Sequence, residues 1–193
     1  MRREVGKAVR RHFNDVIGRC LSCFVEMRDV EIPDGDRVYA WQLVPDLAFY
    51  LALIIDHRWD AFTIEVAWSR DAKWPAYALL GMPTDHADMM ARLRIASLWG
   101  SKRDFWWHLS REFSLDEIEE ATRTLSDLNE PLELVLPRVE PMVDDAVARI
   151  IDFALPYFEQ TACRFGLRNA WQEQMTRGQL GKTDSGERRE GRY

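Results

Sequence analysis

Val5, Ala8, Val9, His12, Phe13, Val16 and Ile17 recur at three and four residues with arginines between them, which predicts an amphipathic helix over residues 2–18 that Gly18 would stop. The period then shortens. Residues 21–27 predict a short strand, and Pro33-Asp34-Gly35-Asp36 a turn, because proline presets φ and glycine accepts the left-handed region. Residues 38–43 predict the next strand, broken at Val44-Pro45-Asp46. Residues 47–55 are a continuous apolar run of strand length, the pattern of a strand covered on both faces. A hairpin closes over residues 56–60. Beyond it Phe62, Ile64, Val66 and Trp68 alternate with Thr63, Glu65 and Ala67, so two faces of one strand are distinguished. Residues 69–83 hold two prolines and a glycine and predict a long loop. Thr84 is placed to cap a short helix through residue 90. Residues 93–98 predict a further strand, with Arg92, Arg94 and Ala96 on one face.

The second half is helical in period. Ser114-Leu-Asp-Glu117 fits a capping box opening a helix to about residue 128. Residues 137–141, bounded by prolines, predict a break. Val143, Ala146, Val147, Ile150, Ile151, Ala154, Leu155 and Phe158 predict a helix from Met142, with Pro156 kinking it and Gly166 just past its end. Residues 177–193 hold eight charges and four glycines and predict a disordered tail. The expectation is a single α+β domain over residues 1–170: an N-terminal helix, an antiparallel β-meander of four to five strands and C-terminal helices packed on the sheet. A polar tail would fill 171–193.

Length and composition sharpen this reading. At 193 residues the chain suits one core rather than two thin ones. No apolar run approaches the ~20 residues of a membrane helix, and no apolar leader follows the basic N-terminus, so no membrane is expected and the cytoplasm is the expected location. A net charge of −6 makes nucleic acid an improbable partner. Charge is also segregated. Residues 1–20 carry six basic and two acidic side chains, whereas residues 112–152 carry twelve acidic and three basic. Two helix faces that attract each other within the domain would account for this; so would an acidic docking surface for a basic protein partner.

Candidate chemistry is sparse. There is no phosphate-binding glycine loop, nucleophile elbow or zinc-protease motif, and no cofactor is expected. Cys20 and Cys23 have a CxxC spacing without a second pair and are read as reduced thiols. Pro45-Asp46 followed by Glu65 is similar in order to nucleases of the PD-(D/E)xK class. In those enzymes two acids hold a metal that activates water and a lysine stabilises the phosphate charge. Ala67 stands where the lysine should be, and Lys73 would have to reach back. On this alternative Asp46, Glu65 and Lys73 are the catalytic set; otherwise Asp46 is a turn residue and Glu65 a strand residue paired with arginine. Arg92 and Arg94 are placed to meet Glu65, as a structural pair or as an anion-binding floor. Trp99, Asp104, Trp106 and Trp107 are candidate binding residues. Adjacent tryptophans in a strand face opposite ways, so burying both Trp106 and Trp107 needs two surfaces, either both of one sheet or one of them a partner's.

Phe62-Thr-x-Glu65-x-x-Trp68-Ser69, Arg92-x-Arg94, Leu98-Trp99, Asp104-x-Trp106-Trp107 and Leu155-Pro156-Tyr157-Phe158-Glu159 together resemble a group of small bacterial proteins classed only as domains of unknown function. The resemblance spans roughly residues 10–165. It implies an α+β fold and an accessory protein of the kind found near toxin–immunity or phage-defence genes, and it brings no catalytic residues. The functional expectation is a non-enzymatic protein-interaction module. The alternatives are the metal-dependent nuclease and a small-ligand-binding domain using the sheet face with Glu65, Arg94 and aromatic walls.

Overall fold

A computed structural model describes residues 3–28, 37–56, 58–76, 78, 80, 88–101, 103–110, 114–124 and 132–180. Helix α1 (Arg3–Cys20) precedes strands β1 (Val25–Met27), β2 (Arg37–Val44), β3 (Leu47–Asp56), β4 (Ala61–Ser69) and β5 (Met90–Arg94). A 3₁₀ turn (Ile95–Trp99) and strand β6 (Trp107–His108) lead to helices α2 (Leu115–Thr124) and α3 (Leu132–Arg149). A π-turn (Ile150–Ala154) joins α3 to α4 (Leu155–Arg164), and α5 (Arg168–Leu180) follows. The sheet is antiparallel throughout, in the order β1-β2-β3-β4-β5, and β6 pairs with β4 beyond β5. The molecule is therefore α+β, with an N-terminal helix, a meander, and C-terminal helices packed on the sheet. No helix among the described residues is long and apolar enough to cross a membrane.

The strand period sorts the sheet into two faces. Tyr39, Trp41, Leu47, Phe49, Leu51, Leu53, Phe62, Ile64, Val66, Trp68 and Leu93 join the apolar side of α1, α3, α4 and α5 in the main core. Phe158 stacks on Phe49 with ring centroids 4.6 Å apart, and Trp171 packs on Trp41 at 4.7 Å. Val38, Ala48, Tyr50, Ala52, Ile54 and Ala67 form a second, smaller cluster on the other face, covered by Trp74 from the loop after β4. β3 is thus buried on both sides, and its continuous apolar run follows from that.

Several element ends differ from expectation for physical reasons. Helix α1 continues past Gly18 to Cys20, and β1 is only three residues long. Residues 95–98 wind into the 3₁₀ turn instead of extending β5, closed by Gly100 at φ 78°. Of the helix predicted over residues 84–90, residues 84–87 lie outside the described residues, while Asp88 and Met89 form a bend and Met90 opens β5. The break predicted at 137–141 is absent: α3 runs through Pro137 and Pro141. Both prolines lie on its exposed side, so the carbonyls they deprive of an amide can turn to water. Val135, Val139, Val143, Ala146 and Val147 on the other side bury enough to hold the helix. Pro156 cannot donate to the carbonyl of Asp152, and the wider π-turn falls on that stretch. Gly166, at φ 76°, ends α4 with Leu167 N–H donating to Ala162 O at 2.8 Å and Gly166 N–H to Cys163 O at 3.0 Å, a Schellman closure. Helix α5 carries Trp171, 4% exposed, into the core, so the polar stretch cannot begin at residue 171. Residues 181–193 lie outside the described residues.

Candidate functional site

Alternation along β4 turns Thr63, Glu65, Ala67 and Ser69 away from the helices. Glu65 is opposite Arg94 on β5, and Ala67 is opposite Arg92. The Glu65 side chain, 1% exposed, receives both arginines: Arg92 Nε donates to Oε2 at 2.5 Å, and Arg94 Nη1 lies 2.9 Å from Oε1. Each guanidinium also lies over an indole. Arg92 Cζ is 5.4 Å from the centre of the Trp74 ring, and Arg94 Cζ 5.2 Å from that of Trp106. One carboxylate thus sits between two cations, each roofed by a tryptophan from a loop. Removing such charges from water costs several kcal/mol per ion, so each depends on the others for compensation. Asp104 Oδ2 is 3.9 Å from Arg94 Nε, too far for a hydrogen bond, and its side chain is 57% exposed.

The neighbouring row of the sheet is polar as well. Tyr50 lies opposite Ala67, edge-on to Trp74 at 5.8 Å. Burial pushes the Tyr50 phenol up, with the nearby Ser69 hydroxyl offsetting part of it. Ser69 Oγ donates to Asp71 Oδ1 at 2.7 Å; that hydrogen bond holds the Asp71 carboxyl below its usual range, burial pulls against it, and the Lys73 backbone N–H adds to the lowering. Thr63 Oγ1 donates to Phe105 O at 2.9 Å, tying the second loop to the same face.

The tryptophan segment divides between the two faces. Trp106 covers Arg94 on the polar side. Trp107, 5% exposed, stacks on Phe62 at 5.1 Å on the helix side, and its Nε1 donates to Asp145 of α3 at 2.8 Å. Burial opposes ionisation of Asp145, but hydrogen bonds from Arg149 and Trp107 prevail and hold its carboxyl below the ordinary value. Arg149 lies over Trp99 at 4.8 Å and Phe105 at 5.3 Å, and Trp99 meets Phe153 at 5.4 Å. Much of the segment's aromatic surface therefore docks on the chain's own acidic helix α3. The basic and acidic halves also meet directly, with His12 Nε2 3.0 Å from Asp144 Oδ1.

The structure brings Glu65, Arg92 and Arg94 together and leaves Asp46 and Lys73 elsewhere. Asp46 occupies the β2–β3 turn and pairs with Arg70 at 3.0 Å. Ala48, two residues on, is opposite Ser69, four residues along β4 from Glu65; at ~3.4 Å per residue that is about 14 Å. Lys73 is exposed, and its backbone closes the Ser69–Asp71 turn. Among the described residues no three His, Cys, Asp or Glu side chains are grouped to hold a metal. Cys20 ends α1, Cys23 lies in the turn after it, and neither is disulfide-bonded. An open cleft of about 450 Å³ between β1, β2 and Gln174 has Glu26 as its acid, and Glu26 pairs with Arg37.

Sequence reasoning missed Tyr50, Trp74 and Asp145. Tyr50 had a signal: within β3 the positions facing the helices are Leu47, Phe49, Leu51 and Leu53, while the others include Ala48, Tyr50 and Ala52, a smaller set that marks the polar face. Trp74 sits in an irregular loop, where no periodicity places a side chain. Comparison with protein-family models, curated proteins and solved structures finds no match to the chain.

Proposed function

We propose that the chain is a non-enzymatic protein-binding module of the bacterial cytoplasm, and that it docks a basic protein on the outer side of α2 and α3. One observation carries the reading: four large apolar side chains are left exposed on the acid-rich helical half. Leu115 and Ile118 on α2 are 76% and 43% exposed, and Leu134 and Ile151 on and after α3 are 60% and 41% exposed. The same segments carry exposed Asp116, Glu119, Glu120, Glu133, Glu140 and Asp152. Apolar anchors set among like charges match the anatomy of an interface, in which the apolar groups hold the partner while the charges steer its approach and reject acidic proteins. An immunity or defence accessory role, as the resemblance implies, belongs with this reading. This reading rests on α2 and α3 rather than on the tryptophans of residues 99–107, of which Trp107 is buried and Trp99 and Trp106 are half-buried.

The test is a complex crosslinked in the source cell, purified, and mapped by hydrogen exchange. Protection is expected over residues 115–124 and 132–152, weakening as salt rises and lost when Leu115→Asp and Ile118→Asp are combined. A partner that protects only the hairpin around exposed Trp59, or that survives both substitutions and high salt, contradicts the assignment.

A further inference from the structure

On the opposite face of the sheet from α3, buried hydrogen-bonding atoms are left without partners. Trp74 Nε1 and Arg94 Nε are shielded from solvent and make no hydrogen bond, Tyr50 Oη has only the Ser69 hydroxyl beside it, and Arg94 Nη1 and Glu65 Oε1 have only each other, an ion pair at 2.9 Å. Tyr50 is wholly buried and Trp74 7% exposed. All three side chains belong to one run of contacts, Tyr50–Trp74–Arg92–Glu65–Arg94, and all can donate. Buried donors without acceptors are costly, and native proteins satisfy more than nine in ten of them. Several together on one face point to something that accepts from them. The local charge indicates its sign: two guanidiniums face one buried carboxylate, and the further acids near the cluster among the described residues, Asp104 at 3.9 Å from Arg94 and Asp71 hydrogen-bonded to Ser69, are both exposed to water.

We propose that this face binds a small oxyanion, the carboxylate or phosphate of a small molecule, which accepts from Arg94 Nε, Tyr50 Oη and Trp74 Nε1 between the Trp74 and Trp106 roofs. Glu65 holds the two guanidiniums in position, and Asp104 competes with the ligand for Arg94. The floor suits such a guest because Ala52 and Ala67 are short, leaving the polar ends of the longer side chains as the recognition groups. The inference does not rest on the docking surface of α2 and α3.

The experiment is a thermal-shift and tryptophan-fluorescence titration of the full chain with inorganic phosphate and, separately, malonate, against chloride at matched ionic strength. Saturable stabilisation by one or both is expected, and which of them binds identifies the class. Tyr50→Phe, which removes one hydroxyl and keeps the ring, should weaken binding about fivefold, the worth of one hydrogen bond, without lowering the melting temperature of the free protein. Asp104→Asn should tighten binding, and Arg94→Gln should abolish it. If Arg94→Gln fails to fold, the first two variants still decide. No response beyond chloride, or equal binding by wild type, Tyr50→Phe and Asp104→Asn, overturns the proposal.

Discussion

The two faces of the β3–β4 pair are equally buried and built from opposite materials. On the helix side Phe49, Trp68, Phe158 and Trp171 interlock with aliphatics from four helices. On the loop side short alanines, Tyr50 and a Glu–Arg–Arg cluster lie under two tryptophans. The first face gains stability mainly from apolar area, to which single hydrogen bonds such as Trp68 Nε1 to Tyr157 Oη and Trp107 Nε1 to Asp145 are added. The second gains little from area, and each charge there depends on the others. Burial alone does not reveal which part of a sheet is specialised; the chemistry of what is buried does.

The sharpest way to break the contrast is to remove charges singly and together. Glu65→Leu strands two guanidiniums and should cost about 3–5 kcal/mol in denaturant unfolding. Adding Arg92→Met and Arg94→Met to it should restore most of that loss. On the helix side Phe158→Ala should also cost about 3–5 kcal/mol, and no second truncation should repair it. If the triple variant is no better than the single one, the loop face is ordinary core.

The adjacent tryptophans sharpen the comparison within one dipeptide. Trp107→Ala should cost about 3–5 kcal/mol, because the ring is core and hydrogen-bonded to Asp145. Trp106→Ala, on a half-buried ring, should cost clearly less.

A pH experiment separates the faces next. Burial pushes the Tyr39 phenol, on the helix side, up from 10.0 to about 12; Arg37 pulls it down and Asp15 adds to the rise. The folded protein therefore holds that proton more tightly than the unfolded chain. The contribution is fully present below pH ~10 and is lost as the pH rises towards ~12, amounting to roughly 2–3 kcal/mol. Tyr39→Phe should flatten the alkaline arm of stability against pH by that amount. Asp145 has the opposite sign: its depressed pKa supports the fold above the usual carboxyl range, and that support fades as the pH falls below it.

Smaller effects lie on the helices. Pro141→Ala should stabilise α3 by about 1–3 kcal/mol, since the exposed proline costs the helix a hydrogen bond. Removing the exposed Glu173–Arg177 pair should change stability by only ~0.3–0.5 kcal/mol.

Much of the fold was legible because its strands alternate and its helices repeat. Phe62, Ile64, Val66 and Trp68 announce a face, and Arg92 and Arg94 two residues apart announce another, which is why their meeting with Glu65 could be anticipated. Pro137 and Pro141 misled, because a local cost says nothing of the tertiary burial that outweighs it. The tail boundary misled likewise: Trp171 is one apolar residue among polar ones, and only its packing on Trp41 makes it core. The roof over the charged face was illegible, since Trp74 and Trp106 reach it from irregular segments.

Native-state hydrogen exchange tests the contrast between the faces most directly. A roof made of loops over a charged floor should open by itself, whereas a roof made of helices should open only when the molecule unfolds. Amides of β3 and the buried side of α3 should exchange with the free energy of global unfolding. The amides of Ala76 and Gly100, beside the loop roof and hydrogen-bonded only to their own segments, should exchange at clearly lower free energy. Exchange of both sets at the same free energy, with the same denaturant dependence, would contradict it.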